Sequence, residues 1–154
     1  MNRFEPDATD LALLRALMAD GSLNAKQAGE QAGVSQPVAW RRIKRLEDLG
    51  VISGRRVALN RKALGFEVVV FLGVKLARSG RASVESFERA VTAIPEVQLV
   101  QHVLGVYDYR LRVVARDLPD FERILRRRIM TLPGVGEVES NVLLSEEKSE
   151  TVRI

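Results

Sequence analysis

Four cations fall in five consecutive positions, Arg41, Arg42, Lys44 and Arg45, with Trp40 just before them and Leu46 just after. Guanidinium and ammonium groups at this density suit the neutralisation of phosphates. The alternative is a solvated helix face that happens to be basic. On a helical wheel Ser35, Ala39, Arg42, Ile43, Leu46 and Leu49 share one side. Pro37, Arg41, Lys44, Arg45 and Asp48 share the other, with Trp40 on the flank. The first side is apolar apart from Ser35 and Arg42, and the second is mostly basic. Gln36 has the donor and acceptor to read adenine, and Arg41 the paired donors to read guanine. The other cations would hold register on the backbone. Arg42 serves either a structural ion pair or a phosphate. Trp40 packs on the first helix or rests on the sugar-phosphate backbone, and packing is preferred.

The charge excess is local. Residues 1–62 carry 11 Lys+Arg against 7 Asp+Glu, and residues 63–154 carry 13 of each. Gln36 to Lys62 alone holds 8 basic and 2 acidic residues. A basic segment joined to a neutral remainder is the footprint of a nucleic-acid-binding module.

The elements around the basic run are helical. Leu11, Leu14, Leu17 and Met18 recur at helical spacing, with Asp7 and Asp10 at the start, where carboxylates suit the dipole. Asn24 and Gln27 match a capping box and open a second helix that runs to about Ala32, before Gly33. Ser35 is a favoured N-cap for a third helix, with Pro37 in its first turn and its end at Leu49. Two short helices joined by a tight Gly-containing turn predict a helix-turn-helix. Gly29 inside the second helix predicts close approach of the third. Ile52 to Leu59 predicts a short hairpin, the wing of a winged helix, carrying Arg55 and Arg56 to phosphates. Asn60 to Leu64 reads as one helical turn closed by Gly65.

The second half repeats at an offset of 38 residues. Phe87 then aligns with Leu125, Val91 with Ile129, Ile94 with Leu132, Pro95 with Pro133, Val97 with Val135 and Val100 with Val138. Strands precede both helices, at Phe66 to Ala77 and at Asp108 to Ala115. The predicted order is β-α-β-β-α-β, a ferredoxin-like split βαβ with its central hairpin turning near Gly105 to Asp108. The fold class is therefore α+β. Residues 1–59 read as a helix-turn-helix domain, 60–65 as a linker, and 66–154 as a separate oligomerisation domain. The first strand is apolar towards both sides, with Val69 and Phe71 opposing Val68, Val70, Leu72, Val74 and Leu76. Two helices cover one face, so a second copy is expected on the other.

Several motifs, in order, carry a family resemblance. They are D-x-x-D-x-x-L-L (Asp7, Asp10, Leu13, Leu14), G-V-S … R-R-I-K-R-L-E-x-x-G-V-I (Gly33 to Ile52) and N-x-x-A-L-G (Asn60 to Gly65). G-x-Y-D-Y (Gly105 to Tyr109) and L-P-G-V (Leu132 to Val135) follow. Over nearly its whole length the chain resembles the Lrp/AsnC, or feast/famine, transcriptional regulators of bacteria and archaea. The resemblance implies a DNA-binding N-terminal domain and a C-terminal αβ sandwich of RAM/ACT-like type. It implies dimers that assemble into octamers or larger rings. It also implies a small effector, commonly an amino acid, bound between dimers near Gly105, Val106, Tyr107 and Asp108. On that reading the turn N–H groups hold the effector carboxylate and Asp108 meets its ammonium group. The plain alternative for Asp108 is an Asx-type cap on the turn. Tyr107 is expected to face the pocket. The sequence departs from the family where Gln36, Pro37 and Val38 replace Pro-Thr-Pro, and at Ala28, Val106 and Arg110.

The candidate DNA contacts are thus Ser35, Gln36, Pro37, Trp40, Arg41, Lys44, Arg45, Arg55 and Arg56. The partners expected are double-stranded DNA, a small effector and further copies of the chain. Arg126, Arg127 and Arg128 spread around the outside of the last helix, opposite Phe121, Leu125, Ile129 and Leu132. They read as a solvated or interdimer surface. Cysteine is absent and His102 is the sole histidine, away from any ligand-spaced partner, so no metal or cofactor is expected. There is no phosphate-cradling Gly loop and no nucleophile–base pair, so no enzyme is expected. No apolar run reaches a membrane span and no signal peptide is visible, which favours the cytoplasm. The competing function is a ligand-binding oligomer whose helix-turn-helix only mediates protein contacts.

Overall fold

Three helices build the first unit: α1 (Ala8–Ala19), α2 (Ala25–Ala32) and α3 (Gln36–Asp48). The structure is a computed structural model and describes residues 4–77 and 81–147. It divides between Leu59 and Asn60 into two compact units.

The first two helices begin at full side-chain caps. Asp7 caps α1 and exchanges hydrogen bonds with Asp10, a full capping box. Asn24 and Gln27 do the same for α2, at 3.0 Å in both directions. Gly33 ends α2 at φ 72°, a left-handed conformation that costs other residues dearly. Ser35 is the N-cap residue of α3, but its hydroxyl makes no capping hydrogen bond.

Gly29 is where α2 and α3 meet. A Cβ there would stand 2.8 Å from the Val34 carbonyl oxygen and 3.0 Å from the Ala39 Cβ. The core of this unit is Leu13, Ala16, Leu23, Ala28, Ala39 and Ile43. The buried face of α1 differs from the expected one. Leu13 and Ala16 go fully inward and Leu17 packs half-buried against them, while Leu14, Leu17 and Met18 line an open groove with Val51 and Ile52. Apolar residues crowd α1 on nearly every side, so its periodicity names no sharp direction. Leu49, assigned to the inner face of α3, is likewise exposed.

The expected wing does not form. Residues 53–60 contain neither helix nor strand. Arg55 instead donates to the Leu23 carbonyl at 2.7 Å and the Gly21 carbonyl at 3.3 Å. These bonds draw the segment along the α1–α2 turn, and no second strand returns to pair with it. A single turn then follows, with the Asn60 carboxamide accepting from the Ala63 N–H and Gly65 at φ 80°.

The second unit is one antiparallel four-stranded sheet with two helices on one face. Its order is β1 (Val68–Leu76), α4 (Arg81–Thr92), β2 (Val97–His102), β3 (Tyr109–Ala115), α5 (Leu118–Ile124) and β4 (Val135–Val142). Strand order is β2-β3-β1-β4, which is the split βαβ arrangement. Val70, Leu72, Val74 and Leu76 of β1 pack with Phe87, Val91, Leu111, Val113 and Phe121 in one core. The last helix deviates from the repeat. Beyond Ile124 it widens into a π-turn over Leu125–Ile129, where the Met130 N–H donates to Leu125. The extra residue per turn buries Ile124 and Ile129 and leaves Leu125 only half-buried.

On the opposite sheet face Phe71, Gly73 and Lys75 of β1 lie beside Arg112 and Arg110 of β3 and Asn141, Glu139 and Glu137 of β4. At one end of this face the paired Val69 and Val114 are buried, Phe71 is half-buried and Lys75 is exposed.

Candidate nucleic-acid interface and effector turn

The orientation of α3 decides which cations are available. Ala39, Ile43 and Leu46 are its buried residues. Gln36, Pro37, Arg41, Lys44 and Arg45 are all exposed, as is Ser35 before them. Trp40 is 62% exposed, so the expected packing against α1 is not formed; the indole edges a shallow hollow with Ala25, Lys44, Glu47 and Arg55.

The cations differ in their commitments. Arg42 is withdrawn from the surface row and donates to Asp7 at 2.6 Å and Asp10 at 2.9 Å. Asp10 is 2% exposed, and a carboxylate so buried needs a counter-ion. The Arg42 hydrogen bond holds the Asp7 carboxyl below its ordinary range, and the two carboxylates raise the Arg42 pKa in turn. Of the two roles open to Arg42, the structure shows the ion pair. Lys44 makes an exposed i,i+4 pair with Asp48 at 3.1 Å, which raises its pKa. Such exposed pairs are worth little. Arg45 lies over the Phe4 ring, 5.2 Å from its centroid. Arg41 has no hydrogen-bond or ion-pair partner among the described residues. Arg55 is partly committed to backbone carbonyls, as described, whereas Arg56 is exposed.

The turn from Gly105 to Asp108 is anchored to β1. The Asp108 N–H donates to Val74, and one Asp108 carboxylate oxygen accepts from the Leu76 N–H at 2.8 Å. This falls where β1 shifts register against β4, between Lys75 and Leu76. Asp108 therefore caps a strand irregularity 32 residues away instead of its own turn. The N–H groups at 105–107 have no partner among the described residues. Gly105 and Val106 are exposed.

Two residues apart, the tyrosines would share a face of a regular strand, but Tyr107 lies in the turn ahead of β3 and the two part. Tyr109 points into the core, is 1% exposed and donates to Glu88 at 2.7 Å. Burial, then that bond, pushes its pKa up to about 12. His102 stacks on it with centroids 4.8 Å apart. Tyr107 lies across Gly73 on the open sheet face and donates to Glu139. That bond raises the Tyr107 pKa and lowers that of Glu139. On the last helix Arg126 pairs with Glu122 at 3.0 Å and Arg128 with Glu96 at 2.9 Å.

A helix-turn-helix with an outward cationic face, in one chain with a βαββαβ unit that holds an anchored turn, defines a two-part DNA-binding regulator. Residues 7–47 match the AsnC-type helix-turn-helix domain and residues 69–153 the Lrp/AsnC ligand binding domain. The chain belongs to the Lrp/AsnC family of transcriptional regulators. It is 34% identical over 142 residues to the proline dehydrogenase transcriptional activator of Rhizobium radiobacter, covering 92% of this chain and 91% of that one. It is 32% identical to a leucine-responsive regulatory protein of Rhizobium meliloti, covering 95% and 94%. A Neisseria meningitidis transcriptional regulator solved as an L-Met complex superposes with TM-score 0.91 at 26% identity, covering 96% and 95%.

Among the described residues no helix is long and apolar enough to cross a membrane, and no acidic, histidine or cysteine cluster is placed to hold a metal.

Proposed function

We propose that this regulator binds duplex DNA through α3 and changes its assembly when an amino acid binds near Gly105 to Asp108. The leading end of α3, with Ser35, Gln36, Pro37 and Arg41, reads base edges in the major groove. Trp40, Lys44, Arg45 and Arg56 lie on the phosphates, with Arg55 at the margin. The carrying observation is the division of labour on one helix: Arg42 is consumed by internal carboxylates while Arg41, Lys44 and Arg45 stay outside.

The open sheet face receives a second copy, which places two α3 helices on one duplex at a spacing of whole helical turns. Dimers assemble further, to octamers, with the effector between them. Its carboxylate meets the free N–H groups at 105–107, and its ammonium meets the Asp108 oxygen that Leu76 leaves unused. The L-Met bound by the Neisseria meningitidis relative supports an amino acid as ligand class. Effector binding shifts the balance between assemblies that hold half-sites at different spacings. The protein acts in the cytoplasm, by binding rather than by catalysis.

A salt titration on duplex DNA from the region upstream of its own coding sequence tests this. Log affinity should fall linearly with log salt. Absence of binding at low salt overturns the reading and favours a helix-turn-helix used for protein contacts. A thermal-shift screen with the standard amino acids tests the effector, because a ligand of the native assembly raises its melting temperature.

A further inference from the structure

We propose that the segment from Phe4 to Asp10 is a positioning strap for the recognition helix. It holds Arg42 by two carboxylates and Arg45 by an aromatic face, so that Arg41, Lys44 and Arg45 meet a duplex already oriented. The proposal rests on the reading of α3 as the DNA-contacting helix.

The spacing shows how the strap lies. Phe4 and Asp7 are three apart, and so are their partners Arg45 and Arg42, in reversed order. The segment therefore runs antiparallel to α3 along one edge. Its carboxylates are held from two sides. Asp7 and Asp10 cap the first turn of α1 and, through other contacts, take the Arg42 guanidinium. Asp10 is the one buried charged residue among those described, and Arg42 is its counter-ion. Rotating α3 about its axis would strip that counter-ion from a buried carboxylate and open the cap of α1. Removing one partner of a buried pair is costly, because the other charge stays behind. The azimuth of α3 is locked in this way, and with it the direction of the row beside Arg42. Phe4 adds a local restraint, since a guanidinium over a ring face keeps its charge while losing rotamers. Arg45 thus approaches the phosphates with part of its ordering cost already met.

A phosphate ligand and a positioning residue leave different signatures. Losing a phosphate contact reduces the slope of log affinity against log salt by about one. Losing a positioning residue weakens binding and leaves the slope unchanged. The full chain is tested as R42M, R42K, F4A and K44A, by a salt series on the upstream duplex and by hydrogen exchange without DNA. K44A should lower the slope. R42M should weaken binding about tenfold at unchanged slope, in line with the loss of charge-assisted hydrogen bonds. R42M should also speed exchange in the first turn of α1 and in α3, with R42K restoring part of both effects. F4A should weaken binding several-fold, again at constant slope. A slope lowered by R42M as by K44A would make Arg42 a phosphate ligand and overturn the strap. So would wild-type exchange and affinity in folded R42M and F4A. If R42M does not fold, F4A decides alone. If wild type itself fails to bind DNA, the DNA reading fails, and the exchange data still judge the strap.

Discussion

The ring of Tyr107 lies on the backbone of Gly73, so close that a Cβ at position 73 would stand 2.6 Å from the ring. Tyr107 belongs to the turn from Gly105 to Asp108, and Gly73 to a central strand of the sheet. The phenol also reaches Glu139 on β4, the residue directly across from Gly73. Turn and sheet face are joined at this point.

The first prediction follows from that contact. G73A should displace the Tyr107 ring and destabilise the protein by about 1–3 kcal/mol, the usual cost of overpacking. In a Y107A background the same change should cost markedly less. A double-mutant cycle in urea measures the difference. Equal cost in both backgrounds would show that the ring is not what requires glycine.

Gly29 makes a similar demand between two helices. Alanine is normally better than glycine within a helix by about 1 kcal/mol. At position 29 the new Cβ would meet the Val34 carbonyl, a backbone atom, at 2.8 Å. G29A should therefore lower the denaturation midpoint despite its better propensity. A rise in the midpoint would contradict the tight α2–α3 approach.

Asp108 is expected to matter to the fold before it matters to any ligand. D108A removes the acceptor of the Leu76 N–H at the β1 irregularity. The loss should be about 1–3 kcal/mol, the range for an unsatisfied donor. Thermal denaturation without added amino acids checks it. An unchanged melting temperature would restore Asp108 to a purely ligand-facing role.

Tyr109 predicts an alkaline limb of stability. Burial raises its pKa in the fold to about 12, from an ordinary value of 10.0. A group raised in this way contributes fully below the unfolded pKa and loses that contribution as pH rises through the folded one. Stability should therefore decline between roughly pH 10 and 12, and Y109F should flatten the decline relative to wild type. Ultraviolet absorbance of the ionised phenol measures the titration directly. Ionisation of both tyrosines at the ordinary value would refute the buried hydroxyl.

Much of this protein is written in near-neighbour signals. Asn24 with Gln27 marked the start of α2, and Gly33 its end, because caps are made between residues three or four apart. The offset of 38 between the halves of the second unit carried the β-α-β-β-α-β order, because each copy is the same amphipathic helix and strand. The polarity of α3 was legible for the same reason: Ala39, Ile43 and Leu46 recur at helical spacing, and Arg41, Lys44 and Arg45 fall outside it.

Tertiary packing decided the rest. Arg42 chose carboxylates 32 and 35 residues earlier in the chain, and Asp108 an N–H 32 residues earlier. Tyr107 found Gly73, and Arg55 the carbonyls of Gly21 and Leu23 in place of a hairpin partner. A π-turn set Ile124 and Ile129, five residues apart, on the buried side and left Leu125 half-buried, a spacing that a period of 3.6 does not give. Local spacing fixes what a residue can offer on its own element. Which distant group accepts the offer depends on how those elements dock, and that is settled only when the whole core closes.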